Sequence, residues 1–153
     1  MDQTSTAEPT PRQTATQRCA PPEQHVASKR VLLVEDEPLT AEVFERCLSR
    51  AGYAVEHAAD GLQAVNRHQD WRPDLIVLDM SLPTMSGADV VRHLRSRGDD
   101  VPILVISGCE QWQSTLTDEE LRPGLWLTKP IKPRKLIAIV EDVLAGRGPD
   151  ALS

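Results

Sequence analysis

Short aliphatic runs alternate along this chain with longer stretches in which apolar residues recur at helical spacing. Val31-Leu32-Leu33-Val34 is continuously apolar, as a strand covered on both faces must be. A helix is predicted next with Pro38 at its first position, where a missing N–H costs nothing. Val43, Phe44, Cys47, Leu48 and Ala51 give that helix one apolar stripe, and Gly52 ends it. Tyr53-Ala54-Val55 reads as a second strand. Asp60 is placed to cap a helix carrying Leu62, Ala64 and Val65. Leu75-Ile76-Val77-Leu78 is a third strand, stopping at Asp79. Ser86 caps a helix with Val90, Val91 and Leu94, which stops at Gly98. Ile103-Leu104-Val105-Ile106 stops at Ser107, and Leu125-Trp126-Leu127 stops at Thr128-Lys129. Pro133 opens a last helix with Leu136, Ile137, Ile139, Val140, Val143 and Leu144 apolar. Five strands alternating with helices predict an α/β fold, a doubly wound five-stranded parallel sheet with helices on both faces.

Outside that pattern the composition changes. Residues 1–28 are rich in Thr, Pro, Gln and Ala and contain only Met1 and Val26 as larger aliphatic side chains. Such a segment buries too little apolar surface to offset chain entropy and is expected to be a disordered tail. The folded unit is expected over 29–145, with a short tail over 146–153. A length of 153 residues suits one core. The sequence after the last helix is too short for another domain, so output is expected to pass through another protein.

Charge narrows the choice of partner. A formal net charge of −6 and no long basic run argue against nucleic acid, whose phosphates need a basic footprint. No apolar run approaches the ~20 residues that span a bilayer, and the first residues lack the features of a secretion signal. Cys19, Cys47 and Cys109 are odd in number and far apart, which fits a reducing compartment and a cytoplasmic location. His25, His57, His68 and His93 show no metal spacing and are expected at the surface.

The chemistry lies where the strands stop. In parallel sheets ligands sit outside the carboxyl ends of the strands. The first strand ends in Glu35-Asp36-Glu37, the third in Asp79, the fourth in Ser107 and the fifth in Thr128-Lys129-Pro130. Two unit charges about 4 Å apart repel by roughly 4 kcal/mol at an effective dielectric of about 20, so several carboxylates in one crevice call for a cation. Magnesium, which prefers oxygen ligands and keeps several waters, answers that need. Glu37 has a simpler reading as a helix cap. A carboxylate nucleophile, a divalent cation, a lysine and a hydroxyl form a set suited to phosphoryl transfer.

The runs Val31-Leu32-Leu33-Val34-Glu35-Asp36-Glu37-Pro38, Pro73 to Pro83 with Met85-Ser86-Gly87, Pro102 to Gly108, and Leu127-Thr128-Lys129-Pro130, in that order, resemble the response regulator receiver domain of two-component signalling, here as a stand-alone single-domain type. The resemblance covers about residues 29–145 and implies the flavodoxin-like receiver fold. It also implies that Asp79 is the phosphoacceptor, modified by a histidine kinase or phosphotransfer protein. Mg2+ would be held by Glu35, Asp36, Asp79 and the backbone carbonyl of Ser81. Ser107 and Lys129 would complete the catalytic set, and Ser107 with Trp126 would form the switch. The Lys129–Pro130 bond is expected to be cis. Such a protein catalyses its own phosphoryl transfer and dephosphorylation, binds a downstream protein, and is expected as a monomer or weak dimer.

Three departures from the family pattern stand out. Trp126 occupies a position where Tyr or Phe is commoner. Between the fourth and fifth strands, Thr117 with Glu120 makes a capping box that starts a helix late, and Pro123 ends it almost at once. Lys132 replaces a frequent Asp cap and joins Arg134 and Lys135 in a basic patch. Trp126 and the interrupted helix support an alternative, a phosphate sink or phosphate-independent interaction module with an uncoupled switch. A flavin binder would want a Gly- and hydroxyl-rich loop after the first strand, and a dehalogenase-type phosphatase would place its nucleophilic Asp there. Neither pattern is met.

Overall fold

The computed structural model describes residues 28–108 and 116–146. The expected N-terminal tail, Cys19, His25, Cys109 and nearly all of the C-terminal tail lie outside the described residues. Strands β1 (Arg30–Val34), β2 (Ala54–Ala58), β3 (Leu75–Asp79), β4 (Ile103–Ser107) and β5 (Gly124–Thr128) form one parallel sheet in the order β2-β1-β3-β4-β5. Helices α1 (Pro38–Arg50), α2 (Gly61–Trp71), α3 (Gly87–Ser96), α4 (Asp118–Leu121) and α5 (Pro133–Leu144) connect or follow them.

Side chains of a strand alternate between faces, and here both faces are covered. Leu32, Val34, Ile76, Leu78, Ile103 and Val105 pack with residues of α2 and α3. Val31, Leu33, Leu75, Val77, Leu104 and Ile106 pack with residues of α1 and α5. This double cover is why the strands are continuously apolar. Each fully buried Leu or Ile contributes about 1.5–3 kcal/mol, so a charged residue at Leu32 or Ile76 would break the core.

The predicted caps form. The side chains of Glu37, Asp60 and Ser86 accept from the backbone N–H groups of Thr40, Gln63 and Asp89. Glu37 is therefore occupied as a cap. Thr117 and Glu120 close their capping box, with N–H donations of 2.8 and 3.0 Å in the two directions, and the resulting α4 has only four residues. Lys132 offers α5 no side-chain cap. Both Lys129–Pro130 and Arg122–Pro123 are cis.

Several expectations need correcting. β2 runs to Ala58 because Glu56 and His57, polar residues, sit on an edge strand where Glu56 pairs outward with Arg67. In α1 the buried residues are Ala41, Phe44 and Leu48, whereas Val43 is 47% exposed and Ala51 lies at the surface. Leu62 of α2 is 54% exposed. Helical periodicity marks which face can be buried; the width of the neighbouring surface decides how much of it is.

His68 is not a surface residue. It is buried on α2, with Nε2 3.0 Å from Asp99 Oδ2. Asp99 Oδ1 accepts from Val101 N–H. Arg95 of α3 donates to the carbonyls of Asp99, Glu120, Leu121 and Pro123. Burial lowers the His68 pKa and Arg72, Arg95 and Arg97 add to that, while Asp99 opposes it.

Candidate functional site

The sheet order fixes the site. β1 and β3 are neighbours, and their connections leave toward opposite edges, β1 feeding β2 and β3 feeding β4. A crevice opens at their carboxyl ends. Asp79 is the last residue of β3 and is buried. Glu35 follows β1 and is also buried, while Asp36 beside it is exposed. One carboxylate oxygen from each of Glu35, Asp36 and Asp79 lies within 4.8 Å of the other two. The three expected acids thus come together although β1 and β3 are far apart in sequence.

Lys129 reaches in from the end of β5. Its Nζ lies 3.1 Å from Asp79 Oδ2. Its backbone N–H donates to the Ser107 carbonyl at 2.8 Å, and the register pairs Ser107 with Thr128. The hydroxyl-bearing end of β4 and the lysine are therefore locked side by side. Ser107 is buried. A Cβ on Gly108 would meet carbons of Lys129 at 3.8 Å, which is ordinary contact.

The carboxylates feel one another. The Glu35 pKa is pushed up to about 7, first by burial and then by the negative charge of Asp79. Lys129 and the Glu37 N–H, 3.3 Å from Glu35 Oε2, pull the other way without cancelling it. One lysine faces three acids, and the surplus negative charge is what a divalent oxygen-seeking cation neutralises. The donor set fits magnesium: hard carboxylate oxygens, partly exposed through Asp36.

Asp79 is held at both oxygens. Oδ1 accepts the Ser81 N–H at 3.0 Å and Oδ2 faces Lys129. Behind it, α3 starts so close that a Cβ on Gly87 would come 2.8 Å from the Asp79 carbonyl oxygen and 2.9 Å from Met80. Only glycine leaves β3 and α3 at this distance. Trp126 lies apart from the acids. It is half-buried against the α2 and α3 side of the core and is paired in register with Val105. His57, expected at the surface, is also part of the site's frame. Its Nε2 lies 2.7 Å from the Glu35 carbonyl oxygen. No sequence spacing pointed to that contact, because it joins two strands through a ring reaching along the sheet.

A profile of the response regulator receiver domain matches residues 31–141. The chain belongs to this family. It is the receiver domain of a two-component response regulator, with the five-stranded flavodoxin-like fold. Among curated relatives, "Response regulator MprA" from Mycobacterium sp. (strain KMS) is 36% identical over 121 residues, covering 79% of this chain and 53% of that protein. The receiver chain thus spans about half the length of the curated relatives it matches. Among solved structures, the chemotaxis protein CheY4 of Vibrio cholerae shares 30% identity with a TM-score of 0.69, over 76% of this chain and 99% of that one. The receiver domain of the sensor histidine kinase PA1611 from Pseudomonas aeruginosa PAO1 has a magnesium ion coordinated in its active site cleft. It shares 32% identity with a TM-score of 0.69, over 78% of this receiver and 99% of that chain.

Proposed function

We propose that Asp79 accepts a phosphoryl group from a phosphohistidine on a histidine kinase or phosphotransfer protein, and that the modified receiver binds a downstream protein differently. The observation that carries this reading is the buried Asp79 carboxylate, with Lys129 Nζ at 3.1 Å and the Glu35 and Asp36 oxygens within 4.8 Å. A carboxylate oxygen of Asp79 attacks phosphorus, the P–N bond to the donor ring breaks, and its electron pair returns to the imidazole. An acyl phosphate results. Lys129 is placed to neutralise phosphoryl oxygens as charge builds on them. The N–H of Ser81 and the ammonium of Lys129 orient the carboxylate before attack.

Glu35, Asp36, Asp79 and the backbone carbonyl of Ser81 would hold Mg2+, which supplies positive charge against the incoming phosphoryl group. Ser107, at the end of β4, would donate its hydroxyl to that group. The phosphoryl group adds about −1.5 to −2 charge, which biases Ser107, Trp126 and the segment around α4 toward a second arrangement.

A protein donor is supported by the surface beside the crevice. Leu39 is 70% exposed, and with Val43, Ile131 and Pro133 it lines an apolar groove between the start of α1 and the loop into α5. Among the described residues no helix is long and apolar enough to cross a membrane.

The test is radiolabel transfer from acetyl phosphate to the wild type and Asp79→Asn, with and without Mg2+. Label is expected on the wild type with Mg2+ and not on Asp79→Asn. Equal labelling of the two proteins overturns the assignment.

A further inference from the structure

Asp36 is exposed, and among the described residues no hydrogen bond or ion pair holds its side chain. Its carboxylate nonetheless lies with those of Glu35 and Asp79. What places it is the backbone. The Glu35 carbonyl and the Asp36 N–H belong to one rigid peptide plane, so fixing the carbonyl oxygen fixes the direction in which Asp36 leaves β1.

Two bonds from the edge strand hold Glu35 there. Its N–H donates to the Ala58 carbonyl at 3.0 Å, continuing the ladder one residue past the end of β1. Its carbonyl has left the sheet and takes its bond from His57 Nε2 at 2.7 Å instead. A carbonyl acceptor requires that Nε2 carry the proton, so the contact sets the tautomer of His57. His57 shares a face of β2 with Val55, which packs on the α1 and α5 side. The ring therefore sits under the β1–α1 loop that presents Glu35, Asp36 and Glu37.

We infer that His57 is the positioning residue for the acidic pair: by donating Nε2–H to the Glu35 carbonyl it aims Asp36 at the cation site. This rests on the reading of that site as a magnesium-binding phosphoacceptor pocket. Outer groups that orient metal ligands typically change affinity 10–100-fold when removed, and the lower end is expected for a carbonyl held from one side.

The experiment compares wild type, His57→Leu and His57→Gln, the last retaining an N–H donor on a side chain of similar reach. The first readout is the Asp36 amide resonance in metal-free protein, since that N–H shares the peptide plane. It should move in His57→Leu and return toward the wild-type position in His57→Gln. The second is Mg2+ binding by isothermal titration calorimetry, expected about tenfold weaker for His57→Leu and restored by His57→Gln. An unmoved Asp36 amide and unchanged affinity in His57→Leu overturn the inference. So does equal loss in both variants, which would assign the effect to the ring rather than to its donor. If His57→Leu does not fold, Mg2+ affinity of His57→Gln decides: within twofold of wild type it supports the inference, and tenfold weaker it overturns it. A wild type that binds no Mg2+ would refute the cation site, while the amide comparison still judges His57.

Discussion

Two polar clusters sit at opposite ends of the same sheet, and both contain buried titratable groups. At the carboxyl ends of the strands, Glu35, Asp36 and Asp79 share one lysine. At the other end, His68, Asp99 and Arg95 bind one another and the backbone so fully that Arg95 alone satisfies four carbonyls. The first cluster carries surplus charge and the second has almost none to spare. Burial of a titratable group therefore does not by itself mark a reactive site. An unbalanced set is the better candidate, because it is held at a cost that a cation or a proton relieves.

The contrast can be broken most forcefully from the balanced end. Arg95→Met keeps the aliphatic stem but withdraws every N–H, leaving several carbonyls without their donor. A loss of about 3 kcal/mol in urea unfolding is expected, with labelling from acetyl phosphate retained. Loss of labelling in a folded Arg95→Met would show that the two ends are not separable.

The unbalanced end should respond with the opposite sign. Glu35→Gln removes one of three mutually repelling carboxylates and should stabilise the metal-free protein at pH 8 by about 1–2 kcal/mol while weakening Mg2+ binding. A destabilised Glu35→Gln would mean the acids are already compensated. This prediction separates the two clusters most cleanly, since a polar deletion strengthens one and weakens the other.

The smallest effect concerns pH. Because the folded pKa of His68 lies below its ordinary 6.5, the unfolded chain binds that proton more tightly. The associated stability is fully present above about 6.5 and is lost as pH falls through the folded value. Melting temperatures from pH 8 to pH 5 should decline by less than the Arg95→Met loss. His68→Gln should flatten that decline, since its amide still donates to Asp99 without titrating. An unchanged slope would place the sensitivity elsewhere.

These clusters differ just as much in how far they could be read in advance. Asp79, Ser107 and Lys129 were legible because each ends an apolar run, and parallel sheets gather such ends. The capping box of Thr117 and Glu120 was legible because it is local. His68 with Asp99, and His57 with the Glu35 carbonyl, were not. Each joins different elements through one ring, and neither leaves a period or a spacing. Val43 and Leu62 misled for another reason: an apolar residue on the right face stays exposed where the neighbouring element does not reach. On α1, Val43 joins Leu39, Ile131 and Pro133 in an exposed apolar groove instead of the core.

The four residues of α4 are too few to hold a helix alone, and their last carbonyls are spent on a side chain from α3. The segment is in effect a graft whose rootstock is Arg95. Moving α4 and β5 alone into another receiver would transplant a shape without the residue that sets it. A working exchange here has to carry the arginine of α3 with it.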